Sequence, residues 1–253
     1  MNLNKDLIQK RFAARLESYN KYALVQNRIC EHLGLLTDKF VDCEVRKALE
    51  IGAGTGFLTS ILTSKFGDSQ WYINDITSEV KPFIERVRKT DKVAYLFGDA
   101  EKIDFSETYD LVVSSSVVQW FDDFEGFVDK LDVNSGGYVV ISSFGQRNFE
   151  QIKGVLGVGL RYMSLNELES VFEGRGYEII HSEQQIETLE FNSPLEVLKH
   201  IKMTGVNSVE NFVWTRNKLN DFCKEYEKQY INDLGCVTLT YNPTILIAKK
   251  KWR

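Results

Sequence analysis

The chain has 253 residues, 43% of them hydrophobic and 12% aromatic, which is enough to bury one or two cores in an ordinary globular fold. Its 31 basic and 36 acidic residues give a net charge of −5 at pH 7, which argues against a strongly basic surface for nucleic acid. No apolar run is long enough to cross a membrane, and the N-terminus lacks the apolar stretch of a signal peptide. We therefore expect a cytoplasmic protein with neither a nucleic-acid nor a membrane partner.

The cysteines and histidines show no spacing typical of a metal site. The four cysteines are scattered without a CxxC pair, which predicts reduced thiols and not a disulfide framework. The three histidines also lie far apart in the chain. We therefore expect no bound metal.

The N-terminal segment predicts helical structure. Apolar and small residues recur at spacings of three and four from Ile8 to Leu33, and Gln26 interrupts this stripe. The pattern is typical of an amphipathic helix or a bent pair of helices, which Gly34 is expected to end.

Strands and helices then alternate along the chain. Short apolar runs predict strands at residues 45–51, 70–73, 93–97, 109–114 and 138–143. Helical stretches separate these runs, and this alternation predicts a mostly parallel α/β sheet with helices on both faces.

The pattern changes after residue 143. A helix at 165–173 is followed by a long predicted strand at 177–191, a charged helical segment at 194–234 and a final strand at 237–249. The last two strands are expected to pair antiparallel at the edge of the sheet. We expect one domain over residues 1–253, in which segments 1–34 and 194–234 form a helical cap.

The turn after the first strand is the most informative segment. It reads Glu50-Ile51-Gly52-Ala53-Gly54-Thr55-Gly56-Phe57. Glycines at such a turn allow backbone angles closed to other residues and let a ligand lie against the main chain. A dinucleotide fingerprint would have its third glycine where Phe57 stands, so a nicotinamide enzyme is disfavoured.

Polar residues also follow the next three strands. Asp75 ends the second strand and can accept hydrogen bonds from both hydroxyls of a ribose. Asp99 follows the third strand, where it can meet the exocyclic amine of adenine, and Ser114 ends the fourth. Because the carboxyl ends of parallel strands share one edge of a sheet, these groups predict a nucleoside-containing ligand.

This order of motifs resembles the class I S-adenosylmethionine-dependent methyltransferases over roughly residues 45–145. The resemblance implies a Rossmann-like seven-stranded sheet of order 3-2-1-4-5-7-6, with strand seven antiparallel, and S-adenosylmethionine as co-substrate. The cofactor-binding residues that it implies are Glu50, Gly52, Ala53 and Gly54 at the methionine end, Asp75 and Ile76 at the ribose, Asp99 and Ala100 at the adenine, and Ser114 on strand four.

Four further stretches resemble one subfamily, the malonyl-acyl-carrier-protein O-methyltransferases of biotin synthesis. They are residues 11–26, the Val-Gln-Trp motif at 118–120, and segments 200–207 and 241–248. The chain departs from that family's pattern at Ser115, where asparagine is usual, and at Lys199, where arginine is usual. The resemblance implies that the acceptor is the free carboxylate of a malonyl group on acyl-carrier protein.

A carboxylate acceptor titrates near pH ~4, so it is already ionised at neutral pH and needs no general base. The enzyme must instead align the acceptor with the donor and exclude water. With the resemblance in view, we expect Lys199 and Lys202 of the cap to hold the carboxylate and Tyr19 to add a hydrogen bond. Gln119 and Trp120 are expected to form a wall of the acceptor pocket.

Two other functions are compatible with the sequence. One is a methyltransferase of the same fold that acts on a small molecule, which would show no preference for a carrier-linked malonyl group. The other is a non-catalytic module that binds S-adenosylmethionine but transfers no methyl group.

Overall fold

A computed structural model describes residues 4–204 and 214–252. The helices of these segments are α1 (Lys5–Ala13), α2 (Leu16–Tyr22), α3 (Leu24–Phe40), α4 (Phe57–Lys65), α5 (Lys81–Val87), α6 (Phe124–Lys130), α7 (Glu150–Leu156), α8 (Leu165–Glu173), α9 (Pro194–Met203) and α10 (Arg216–Tyr230). The strands are β1 (Lys47–Ile51), β2 (Gln70–Asp75), β3 (Val93–Phe97), β4 (Tyr109–Ser115), β5 (Val133–Phe144), β6 (Tyr177–Gln184), β7 (Glu187–Phe191), β8 (Val237–Tyr241) and β9 (Pro243–Lys250). Residues 205–207 of the predicted cap motif lie outside the described part of the chain.

The main sheet has the order β3-β2-β1-β4-β5-β9-β6. Strands β1 to β5 run parallel, and β9 runs antiparallel to both β5 and β6. Since β9 takes the place of strand seven, the expected order and the antiparallel edge are both confirmed. The carboxyl ends of β1 to β4 therefore meet at one edge, where the polar strand-end residues come together.

The prediction of two unbroken C-terminal strands is wrong, because each is split in two. Asn242 is fully buried where the second of them breaks, and its side-chain amide donates to the Gln185 carbonyl at 2.7 Å. Its Oδ1 accepts from Gln184 Nε2 at 2.9 Å, and Pro243 next to it has no N–H to continue the ladder. These contacts let β7 and β8 leave the main sheet and pair with each other.

The helical N-terminus also differs from its prediction. It forms the three helices α1, α2 and α3, and α3 continues past Gly34 to Phe40. Gly34 does not end the helix but permits close packing, since a Cβ there would lie 2.5 Å from Cγ2 of Ile61 on α4.

Three groups of buried apolar residues hold the fold together. Two of them cover the opposite faces of the main sheet. The third joins α9 and α10 to α7 and to the β7–β8 ribbon, and includes Val197, Ile201, Phe222 and Tyr226. The helices and strands of this third group cover the carboxyl edge of the sheet and the cavity described below. Among the described residues no helix is long and apolar enough to cross a membrane.

Candidate functional site

A cavity with about 1230 Å³ of empty space, its mouth included, lies at the carboxyl ends of β1 to β4. Its walls come from the strand ends, from α1 to α3 and from the cap. The predicted site residues that line it are Tyr19, Glu50, Gly52, Ala53, Gly54, Asp75, Ile76, Asp99, Ala100, Gln119 and Trp120. The structure thus brings most of the predicted site residues to one place.

The glycine turn forms the floor of this cavity. Gly52 has φ of +66°, and a Cβ at this position would lie 2.3 Å from Cγ2 of Val117. A larger residue is therefore excluded by both backbone angle and space. The backbone N–H of Gly54 donates to Asp75 Oδ2 at 2.8 Å, and that of Thr77 donates to Asp75 Oδ1 at 3.0 Å. Asp75 therefore fixes the turn against the end of β2.

Two buried carboxyl groups, Glu50 and Asp75, stand beside the turn. Burial, aided by the charge of Asp75, raises the pKa of Glu50 to about 8, although the Thr59 hydroxyl donates to it at 2.7 Å. Burial likewise raises the pKa of Asp75 to about 6, against the effect of its backbone hydrogen bonds. Among the described residues neither carboxyl forms an ion pair, so this end of the cavity lacks a compensating cation.

Helix α1 closes the end of the cavity where the adenine of the nucleoside is expected to bind. Lys5 Nζ donates to both carboxylate oxygens of Asp99, at 2.8 and 3.0 Å, and also pairs with Glu101. Burial would raise the pKa of Asp99, but the bond from Lys5 brings it below its usual value. On the same helix, Phe12 covers Gly54, whose Cβ would lie 3.3 Å from its ring. The N-terminal helix therefore lies over the predicted adenine and methionine positions.

Three predicted site residues do not line the cavity. Ser114 is buried at the end of β4, where its hydroxyl donates to the Ile51 carbonyl at 3.1 Å. It thus ties two strand ends together. Lys199 and Lys202 are both exposed, because α9 buries its opposite face through Val197 and Ile201. Neither lysine lines the cavity.

The half of the cavity where the acceptor is expected, called the acceptor half below, is lined by neutral side chains that include Tyr19, Cys30 and Ser115. Tyr19 lies against the edge of the Phe12 ring, with 5.2 Å between ring centroids. The Cys30 thiol donates to Ser115 Oγ at 3.3 Å, and burial raises its pKa to about 12. Burial also raises the pKa of Tyr19. Both groups are therefore protonated at neutral pH.

Several lining residues were missed by the sequence analysis. They are Lys5, Gln26, Cys30, Asn74, Ser115, Ser116, Phe144 and Thr204. The polar Gln26 on an otherwise apolar stripe was a visible signal. Thr204 carried none, because α9 brings it to the cavity, and Phe144 ends β5 one position beyond the predicted end of that strand.

The residues present fit S-adenosylmethionine. Within the described residues, two buried carboxyl groups have no cationic partner, which suits a ligand that carries positive charge, and the glycine turn lets that ligand lie against the main chain. Among the described residues, no group of three or more His, Cys, Asp or Glu is arranged to hold a metal ion.

Comparison with known proteins agrees with this geometry. Residues 49–141 match the family model described as a methyltransferase domain. The structure is similar to the YcgJ protein of Bacillus subtilis, with a TM-score of 0.64 and 15% identity over 88% of this chain and all of that one. At that identity the likeness shows the fold alone.

The curated relatives of this chain include two that are named malonyl-acyl-carrier-protein O-methyltransferase. One, from Bacteroides fragilis, is 37% identical over 98% of this chain, which spans only 51% of that longer protein. The other, from Bacteroides thetaiotaomicron, is 34% identical over 98% of this chain and 99% of its own length. Because the second match covers nearly the whole of both proteins, this chain belongs to the malonyl-acyl-carrier-protein O-methyltransferase family.

Proposed function

We propose that this chain transfers the methyl group of S-adenosylmethionine to the free carboxylate of a malonyl group on acyl-carrier protein. The product is a methyl ester, which removes a negative charge early in biotin synthesis. The observation that carries the proposal is a single cavity with two unlike halves: strand-end carboxyl groups line one half, and neutral donors under the cap line the other.

The chemistry requires no proton transfer. S-adenosylmethionine supplies a methyl group on a positively charged sulfur. A carboxylate oxygen forms a bond to the methyl carbon while the carbon–sulfur bond breaks, and the electron pair stays on sulfur. The products are a neutral ester and a neutral thioether, so the site needs no general base.

What this chain supplies is alignment and protection from side reactions. Holding two reactants in line is worth ~7–11 kcal/mol in well-oriented systems. The protonated states of Tyr19 and Cys30 support this function, because a phenolate or thiolate here would compete for the methyl group. Burial in an apolar cavity therefore keeps these two groups from acting as acceptors.

The acceptor class can be tested by measuring S-adenosylhomocysteine release with malonyl-carrier, acetyl-carrier and free malonate. We expect release with malonyl-carrier, none with acetyl-carrier, and much slower release with free malonate. Equal release with free malonate would indicate a methyltransferase of small molecules. No release with any acceptor, from a sample that binds the donor, would indicate a non-catalytic binding module.

The cap lysines give a separate prediction. Because Lys199 and Lys202 are exposed, we propose that they attract the carrier protein electrostatically and do not touch the reacting carboxylate. The Lys199→Ala, Lys202→Ala double variant should lower kcat/KM for malonyl-carrier by less than about ten-fold, since exposed charges act weakly through water. The loss should disappear at high salt, with no change in donor affinity.

A matched control is the Lys224→Ala, Lys228→Ala variant, which removes two exposed charges from α10. An equal loss in this control would mean that only net charge matters. A large loss in the α9 variant that persists at high salt would place a lysine on the reacting carboxylate.

A further inference from the structure

Gln26 carries a buried side-chain amide that has no hydrogen-bond partner among the described residues. The residue is 4% exposed on α3 and lines the acceptor half of the cavity. Neither its nitrogen nor its oxygen forms a hydrogen bond within the described residues. Burying an unpaired amide is costly, so such a group facing a cavity indicates a ligand that pairs with it.

A second unpaired polar group lies nearby. The Ser116 hydroxyl lines the same cavity, is buried and has no partner among the described residues. Ser116 also has φ of +59°, an angle that residues other than glycine adopt at a cost. Cys30, one turn after Gln26 on α3, contacts Ser115, the neighbour of Ser116. The two unpaired groups therefore lie toward the same end of the cavity.

Two residues outside the cavity lining, His200 on α9 and Tyr241 on β8, lie behind Gln26. The Tyr241 hydroxyl, at the end of β8, lies beside the Gln26 amide without forming a well-aligned bond, and His200 Nε2 is 2.7 Å from that hydroxyl. Burial lowers the pKa of His200, which favours a neutral ring. With its proton on Nε2, His200 donates to Tyr241, which is then free to donate toward Gln26 Oε1. A Tyr241 hydroxyl that donates to Gln26 Oε1 would leave the Gln26 NH₂ group for a ligand in the cavity.

Within the described part of the chain, the cavity lining offers no spare cation for an anionic acceptor. Among the described lining residues the one cationic side chain is Lys5, and Asp99 and Glu101 already bind it. Neutral donors can orient a carboxylate while leaving its charge free to face the positive sulfur of the donor. Gln26 and Ser116 offer such donors.

We infer that Gln26, assisted by Ser116, holds the acceptor carboxylate, and that Tyr241 and His200 are positioning residues that orient the Gln26 amide. This inference rests on the proposed function, since it assumes a malonyl acceptor. It assigns the carboxylate to neutral hydrogen bonds in place of the cap lysines.

The test compares wild type with Gln26→Leu, which fills similar space without polar atoms. We expect the KM for malonyl-carrier to rise by about ten-fold or more, the loss typical of a hydrogen bond to a charged group. The inhibition constant of acetyl-carrier, which lacks the carboxylate, should stay unchanged, as should the affinity for S-adenosylmethionine. The ligand-free variant should melt at a higher temperature than wild type, because an unpaired buried amide has been removed.

Tyr241→Phe should raise the KM for malonyl-carrier and leave the acetyl-carrier inhibition constant and the donor affinity unchanged. In the Gln26→Leu background it should have no further effect, because Tyr241 acts through Gln26. Gln229→Leu on the exposed side of α10 is the matched control and should change none of these values. Equal weakening of malonyl- and acetyl-carrier by Gln26→Leu, or an unchanged malonyl KM, would overturn the inference. If wild type itself does not methylate malonyl-carrier, the proposed function fails instead.

Discussion

Asp75→Ala is expected to weaken binding of S-adenosylmethionine by at least about a hundred-fold, because two hydrogen bonds to a buried carboxylate would be lost. We expect the same carboxylate to hold the ribose and the Gly54 N–H, so the variant loses a ligand contact and loosens the glycine turn together. Calorimetric titration with S-adenosylmethionine measures the effect. Acetyl-carrier inhibition should change far less, because that ligand is expected to occupy the other half of the cavity.

Glu173→Ala provides the control for this prediction. Glu173 is an exposed carboxylate on α8, and it does not line the cavity. Its removal should leave donor affinity unchanged. A folded Asp75→Ala variant that binds S-adenosylmethionine as tightly as wild type would show that Asp75 is not part of the cofactor site.

Glu50→Gln should stabilise the ligand-free protein at alkaline pH. The pKa of Glu50 rises from 4.5 to about 8 on folding, so the folded state binds its proton more tightly than the unfolded state does. Wild type therefore loses stability as the pH rises from about 4.5 to about 8, whereas the glutamine variant has no such group to ionise. One pKa unit corresponds to about 1.4 kcal/mol. The free energy of unfolding of Glu50→Gln, relative to that of wild type, should therefore increase by as much as about 5 kcal/mol between pH 4.5 and pH values above 8.

Urea unfolding in the absence of ligand, at pH 5 and above pH 8, measures this difference. Glu178→Gln, an exposed change on β6, should show no such pH dependence. Binding of a positively charged donor should favour the ionised form of Glu50, so wild-type donor affinity should rise over the same pH range. Equal stability of Glu50→Gln and wild type at both pH values would contradict the buried, cation-free setting of this carboxyl group.

The part of the site where the nucleoside is expected could be predicted from the sequence, because its sequence signals are local. A glycine turn after an apolar strand and an acidic residue at the end of the next strand depend on short segments alone. The parallel sheet then brings the ends of β1 to β4 to one edge, and the structure places Gly52, Asp75 and Asp99 there together. The order of the edge strands came from the family resemblance and was confirmed.

The errors in the predicted secondary structure arise from contacts between residues that are far apart in the sequence. Gly34 has the pattern of a helix end, but it lies inside α3, where its lack of a Cβ makes room for Ile61. The split of the C-terminal strands depends on Asn242, whose partners Gln184 and Gln185 lie more than fifty residues away. No local pattern carries either contact.

The acceptor half was the least predictable part of the site. Val197 and Ile201 share the buried face of α9, and this spacing alone could have placed Lys199 and Lys202 on the opposite face. Gln26 stood out in the sequence as a polar break in an apolar stripe. Its lack of a partner became visible only once the cap and α3 were in place.

The most direct test is the intact mass of malonyl-acyl-carrier protein after incubation with wild-type enzyme and S-adenosylmethionine, beside an identical sample of acetyl-acyl-carrier protein. We predict that the malonyl form gains the mass of one methyl ester and that the acetyl form gains nothing. An unchanged malonyl mass, from enzyme shown to bind the donor, would contradict methyl transfer to that carboxylate.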